Sequence, residues 1–290
     1  MRRICIATAL TMAVFLIARP VWATNAEDFK IYQLGDPSSD PTADTKFRLF
    51  ANQLGIAISG FNFSPAQTLG HSGFAISLEY GVSKINPDYW PRYGTSDSPY
   101  LLMPSLHLRK GLGLSFELGG RLTYLQESSM FAGTLELKWA LNEGFTYAPD
   151  FAVRGHVTTL AGATDFDMTT GGVDIGIGKQ FGIGGVVTLT PYIGWNLIFV
   201  HATARMIDFQ PSRAPEEAMA QPFETLNFYQ EVKAGDNVSH RFYGGLRFVL
   251  MPVEIGLEFS YTKVSVDHEI EGLDKEIPVM NFGAKLGVDF

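Results

Sequence analysis

From Gly73 to Phe290 the chain alternates apolar with polar or small residues in segment after segment, and this period of two leaves few folds open. A strand turns its side chain over at every residue, so alternation splits each segment into two faces. Phe74, Ile76, Leu78, Tyr80 and Val82 share one face, and Ala75, Ser77, Glu79, Gly81 and Ser83 share the other. Leu112, Leu114, Phe116, Leu118, Leu122 and Tyr124 stand opposite Gly113, Ser115, Glu117, Gly119, Arg121 and Thr123 in the same way. The spacing predicts ten strands, over 73–85, 99–110, 112–126, 129–141, 150–161, 168–181, 185–202, 238–251, 253–266 and 277–290. Connections around Lys110-Gly111, Asn142–Pro149, Phe181–Gly184 and Met251-Pro252 are short. The longer ones, 86–98, 162–167, 203–237 and 267–276, fall between them, with Gln126–Ser128 a short exception. An antiparallel up-and-down barrel with both ends of its strand array on the short-turn side fits this order.

The N-terminus has a different character. Arg2 and Arg3 precede an apolar run from Ile4 to Ala18, and Val21-Trp22-Ala23 supplies small residues at a cleavage point, so 1–23 reads as a removed export signal. That run is shorter than the ~20 residues a membrane-spanning helix needs. Cys5 leaves with it, so the mature chain has neither a disulfide framework nor a thiol nucleophile. Arg2, Arg3 and Arg19 leave too, so 19 basic residues face 30 acidic ones, a net charge of −11. Such a balance disfavours nucleic acid as a partner. Residues 24–72 are expected to be a periplasmic lead-in, with a short helix over Asp44–Leu54 tucked under or into the barrel, and 73–290 the barrel itself. A twelve-stranded barrel that takes two strands from 46–63 is the alternative.

Alternation alone does not say which face is outside, since a soluble barrel turns its apolar face inward. The polar face here is rich in glycine and poor in lysine, and only 18% of the chain is charged, too little for a water-facing outer wall. Tyr100, Tyr124, Phe131, Trp139, Phe151, Phe181, Phe199, Phe242 and Tyr261 gather near strand ends, as an interfacial girdle requires. With no long apolar run beyond the signal, a membrane crossing by this chain has to be a closed barrel.

The chain ends on Phe282, Leu286, Val288 and Phe290, alternating to a terminal phenylalanine. This segment resembles the C-terminal assembly signal of Gram-negative outer-membrane β-barrel proteins. The resemblance implies a place in the outer membrane, with lipid, lipopolysaccharide and the barrel-assembly machinery as partners.

With the apolar face outward, the lumen receives Glu79, Glu117, Glu136, Asp174, Glu254, Glu258 and Asp289, with Arg109, Arg121, Lys138, Arg154, Arg241, Arg247 and Lys285 facing them and His156 nearby. Charges balanced in so narrow a space are expected to pair, because an unpaired buried charge is costly. The expectation is a non-enzymatic barrel, either structural or a narrow passive channel for small polar solutes. Surface binding through 86–98 and 203–237 is the alternative, with the long second segment acting as cap, constriction or free loop.

The external rim carries Asp165, Asp167, Asp267 and Glu269. Asp165 and Asp167 opposite Asp267 and His268 resemble, in residue type, the aspartate and Asp–His pairs of omptin proteases. Here Asp267 and His268 are adjacent, so on a strand they point to opposite sides, and solvated acidic loops that bind divalent cations with lipopolysaccharide are the favoured reading. The histidines lack metal-ligand spacing, and neither a metal nor another cofactor is expected.

Overall fold

A computed structural model describes residues 29–86, 90–91, 99–126, 128–211, 213, 225–235, 238–265 and 276–290. The strands are β1 (Phe74–Lys84), β2 (Tyr100–Gly111), β3 (Phe116–Tyr124), β4 (Phe131–Asn142), β5 (Asp150–Ala161), β6 (Phe166–Gly178), β7 (Phe181–Ile183), β8 (Val187–Ala204), β9 (Ile207–Asp208), β10 (Leu226–Asn227), β11 (Val238–Leu250), β12 (Val253–Ser265) and β13 (Glu276–Asp289). Ten of them close a ring, β1 through β6, then β8, β11, β12 and β13, with every neighbour antiparallel. The short β7 pairs with the start of β8 and continues the edge of β6. At the seam, Phe74 and Phe290 exchange backbone hydrogen bonds of 3.0 and 2.8 Å, and β13 pairs with β1 from Ala75↔Asp289 to Lys84↔Met280.

The ten predicted strands are the ten of the ring, within two residues at most ends. One end is corrected. The alternation of Leu112 and Leu114 suggests that the third strand starts at 112, yet β3 starts at Phe116. Leu114 and Ser115 both have φ of 60° and form the turn, closed by Leu112 N–H to Phe116 O at 2.7 Å. Leu114 is 88% exposed there, so its apolar character marks the end of the barrel and not its wall.

The outer wall is apolar all round. Leu78, Leu106, Leu122, Leu135, Leu137, Ile193, Phe242, Leu257 and Phe282 all lie exposed on it. Aromatic rings ride near both edges: Tyr124 with Phe131 at one (centroids 5.1 Å apart), Phe116 stacked on Trp139 at the other (5.6 Å).

A helix, α1 (Ala43–Ile58), is inside the ring, and the segment that follows it to Ser72 continues down the lumen. This corrects the expected helix in extent. The helix has sixteen residues and not the predicted eleven, and of the two places expected for it, under or into the barrel, it takes the second. The twelve-strand alternative, which needed 46–63 as strand, is overturned by the same helix. Among the described residues no helix is long and apolar enough to cross a membrane, which says nothing of crossing by strands.

Candidate functional site

Inward positions of the barrel change character along its axis. At the end bearing the long connections (85–99, 125–130, 162–165, 205–237 and 266–275) they are apolar: Leu101, Met103, Met130, Leu160, Met168, Ile198, Val200, Val264, Ile277 and Val279 are all buried. Apolar inward groups need an apolar guest, and α1 supplies it. Phe50 packs edge-on against Phe166 (5.6 Å) and Trp90 (5.1 Å), and Phe29 meets the same Trp90. Leu49 and Ile56 join Ile198, Val200, Val264, Ile277 and Val279 in one buried cluster. Gly55 lies so close to the wall that a Cβ would reach Val200 and Thr170, so a side chain at this helical position would push the helix off β6 and β8.

Over this end folds the long segment after β8. Val232 bridges back to Ala202, and the β9–β10 pair sits beside it. Tyr229 stacks on Phe47 (4.8 Å, 9°) and donates its hydroxyl to the carbonyls of Ile31 (2.7 Å) and Gly35 (2.8 Å). Burial pushes the Tyr229 phenol up from its ordinary pKa, so it remains a donor. Gln230 N–H reaches Asp44 (2.8 Å), and Asn227 reaches Asp36 (3.0 Å). Of the roles open to 203–237, the described part takes that of cap. Asp40 orders the entrance to α1: Lys46, at 2.7 Å, and the Thr42 hydroxyl and N–H hold its carboxyl down at about 2.

Below α1 the lumen is charged, and the predicted residues converge there. Glu79 pairs with Arg121 (2.7 Å), Glu136 with Arg154 (2.8 Å), Asp174 with Arg154 (2.6 Å) and Glu117 with Lys138 (2.9 Å). Glu254 collects Arg109 (3.2 Å), Arg247 (3.0 Å) and Lys285, while Asp289 holds Arg247 (2.5 Å). His156 meets Asn196 at 3.1 Å. The pairing expected of these charges is present, but it is half of the arrangement. The other half is the internal chain, whose backbone the charges bind.

Arg241 donates to the carbonyls of Ile56 and Gly60 and to Ser59 Oγ (2.6 Å). Arg121 (2.8 Å) and Arg154 (3.4 Å) donate to Phe61 O. Glu258 accepts the backbone N–H groups of Asn62 (3.0 Å) and Phe63 (2.7 Å) and the Tyr192 hydroxyl (2.9 Å). Lower still, Lys138 donates to Ser64 Oγ (2.5 Å) and Gln67 O (3.1 Å), and Glu117 accepts Leu69 N–H (3.0 Å). Cationic side chains thus meet carbonyls and carboxylates meet N–H groups, satisfying an irregular backbone that neither helix nor sheet satisfies. Gly60, at φ +73°, makes the turn out of α1 against Arg121, where a Cβ would collide with the guanidinium.

Besides Asn196, three barrel residues of this network lay outside the predicted set. His107 bridges Glu79 (Nδ1, 2.7 Å) and Glu136 (Nε2, 2.9 Å), and Tyr192 and Tyr243 close the ring around Glu258 and Asn62. Their signal was present: each is an inward position in a strand whose parity is already set by its neighbours.

At the rim, Asp167 forms a two-pronged exposed pair with Arg205 (2.7 and 3.1 Å), and Asp165 accepts Arg205 N–H on its backbone carbonyl. Asp267 and Glu269, with His268, lie outside the described residues. At the chain end Phe282 and Phe290 are exposed on the outer wall, with Leu286 and Val288 half-buried beside them. Among the described residues no three His, Cys, Asp or Glu side chains are grouped to hold a metal ion.

Fold and lumen together define a class: a closed, ten-stranded, up-and-down barrel filled by its own N-terminal segment. No family model and no curated protein matches the chain. Among solved structures it is similar to Ail, the attachment invasion locus protein of Yersinia pestis, at 13% identity over 76% of this chain and 99% of that one, with a TM-score of 0.28. It is similar also to the β domain of the Bordetella autotransporter BrkA (13%, 76% and 100%, TM-score 0.38) and to the outer membrane protease OmpT of Escherichia coli (8%, 77% and 97%, TM-score 0.31). Likeness this distant leaves the role of the chain to be argued from its own residues.

Proposed function

We propose that this chain is a non-enzymatic outer-membrane barrel held closed by its own N-terminal segment, with the capped end facing outward as its working surface. An apolar outer wall supports the membrane setting, because leaving such a wall in water forgoes ~25 cal/mol for every Å² kept wet. The short-turn end is the periplasmic one under the usual rule for such barrels. One observation carries the closed state: Arg121, Arg154, Arg241, Glu117 and Glu258 are spent on the backbone of residues 56–69 and not on a water-filled passage. A standing channel for small polar solutes is the reading this disfavours. Lipopolysaccharide at the outer wall and the assembly machinery at Phe282–Phe290 are the partners this setting supplies.

Conductance in a planar bilayer tests the reading. The refolded protein and a variant lacking 205–235 are both expected to insert and stay silent, because the cap is lost but the lumen remains filled. Reproducible current steps from the intact protein overturn the closed state. Steps only from the shortened variant show that the loop, not the internal segment, is the seal.

A further inference from the structure

The internal segment has a direction. Phe29, Ile31 and Gly35 are held at the long-loop end by Trp90 and Tyr229. Gly55 is level with Thr170 and Val200, Gly60 with Arg241, Phe61 with Arg121 and Arg154, and Ser64 with Lys138. Thr68 then reaches Glu143 in the turn between β4 and β5 (2.7 Å to its N–H), and Ser72 O accepts Lys110 Nζ (2.8 Å) at the foot of β2. Two residues later the chain becomes β1 and climbs back inside the wall. The path therefore runs from long-loop end to short-turn end and then reverses.

We infer that the barrel carries its own N-terminal segment across the membrane and presents residues 29–42 on the external surface. The inference rests on the membrane orientation proposed above. A chain delivered to the periplasm starts with every residue on that side, and β1 begins there. Residues 29–42 lie at the far end of the lumen, with Phe29, Ile31 and Leu34 in one buried cluster with the inward Leu101, Met130 and Leu160, so reaching that end takes them across the bilayer enclosed in the barrel. The lumen is built for such cargo. It offers apolar walls to a helix, then cationic and anionic side chains to the backbone that follows, so N–H and carbonyl groups of the chain within find partners on the wall.

Placement of cysteines tests this in the full chain, whose only native cysteine, Cys5, lies in the export signal. Ser39 and Gln33 are exposed at the long-loop end, and Tyr147, fully exposed, sits in a short turn. Ser39→Cys, Gln33→Cys and Tyr147→Cys are each expressed in a Gram-negative host, treated with a membrane-impermeant maleimide, and fractionated. Ser39→Cys and Gln33→Cys are expected to label on intact cells and Tyr147→Cys only after permeabilisation. If all three remain with the outer membrane but the first two label only after permeabilisation, the inference fails while the membrane reading stands. If Tyr147→Cys alone labels on intact cells, the orientation is reversed and the segment is not presented. Labelling of all three on intact cells also overturns the inference, since the barrel then does not span. Recovery of the protein in the soluble periplasm sinks the membrane reading itself. Two positions in the 29–42 segment, Gln33 and Ser39, guard against one variant failing to fold.

Discussion

Removing the Glu258 carboxylate is the sharpest perturbation of the internal segment. In Glu258→Ala the N–H groups of Asn62 and Phe63 and the Tyr192 hydroxyl lose their common acceptor, all within a buried site. A buried donor left unsatisfied costs roughly 1–3 kcal/mol, so three such donors cost about 3–9 kcal/mol. Water that enters the vacated volume repairs part of this, which places the effect near the low end, about 3–4 kcal/mol. Each 1.4 kcal/mol is about tenfold in an equilibrium, so local opening of residues 59–69 should become about 10²–10³ times more frequent. Amide hydrogen exchange of the refolded barrel reads this directly, because exchange follows the population of the open form. A peptide spanning 59–69 should exchange about 10²–10³ times faster in the variant, while peptides from β1 to β5 remain unchanged. Glu258→Gln keeps one acceptor oxygen but turns an NH₂ towards a donor, and should fall between the two. Wild-type protection over 59–69 in Glu258→Ala would refute the claim that barrel charges hold the internal backbone.

Other perturbations address separate parts. Tyr229→Phe removes the hydroxyl that reaches Ile31 and Gly35 and leaves two carbonyls short of a donor; it should free the 29–35 segment by about 1–3 kcal/mol, seen as faster exchange there with α1 still protected. Leu137→Arg places a charge on the outer wall and should lower unfolding stability in phospholipid by about 2–4 kcal/mol; a neutral effect would argue for a wall facing water. Gly60→Ala forces a side chain into a positive-φ position against Arg121, and should loosen 59–63 more than Gly144→Ala, also at positive φ but in open space, loosens its turn. Asp40, lowered to about 2 in the folded chain, contributes order above its ordinary value and loses it as pH falls towards 2. Exchange at Thr42, corrected for intrinsic rate, should therefore accelerate on acidification, and Asp40→Asn should abolish the step.

The strands were legible because one face of each is apolar over most of its length, and period two survives a wall of either solvent. Turns were legible where glycine or proline stands in them, as at Met251-Pro252. The turn at Leu112–Ser115 was not, since its leucines continue the alternation while the backbone has already left the sheet. The internal helix was half visible. Its spacing over 44–54 reads as helix, but Gly55 and the buried Asn52 and Gln53 blur the stripe, because a helix enclosed on all sides has no solvent face to mark. Its location had a signal that strand-by-strand reading passes over: inward positions turn from charged at Glu79, Arg109 and Lys138 to apolar at Leu101, Met130, Leu160 and Val200. The charged residues were found by parity, and their mutual pairing follows from balance. That Arg241 and Glu258 bind the plug and not an oppositely charged neighbour depends on where the internal backbone runs, which no local pattern encodes.

The seam between Phe74 and Phe290 imposes an order of events. The first barrel strand and the last meet only when β13 is present, and joining strands so far apart in the chain costs about 5 kcal/mol in loop closure by length scaling. The segment that fills the lumen lies immediately before the first strand. Closure therefore wraps around a guest already attached to one lip of the gap, much as a stave ring is drawn round a core, with no need for threading. A chain missing its last strand would leave two open sheet edges and a lumen guest bare on one side. Closure of the ring and enclosure of the segment within it are thus decided by a single pairing.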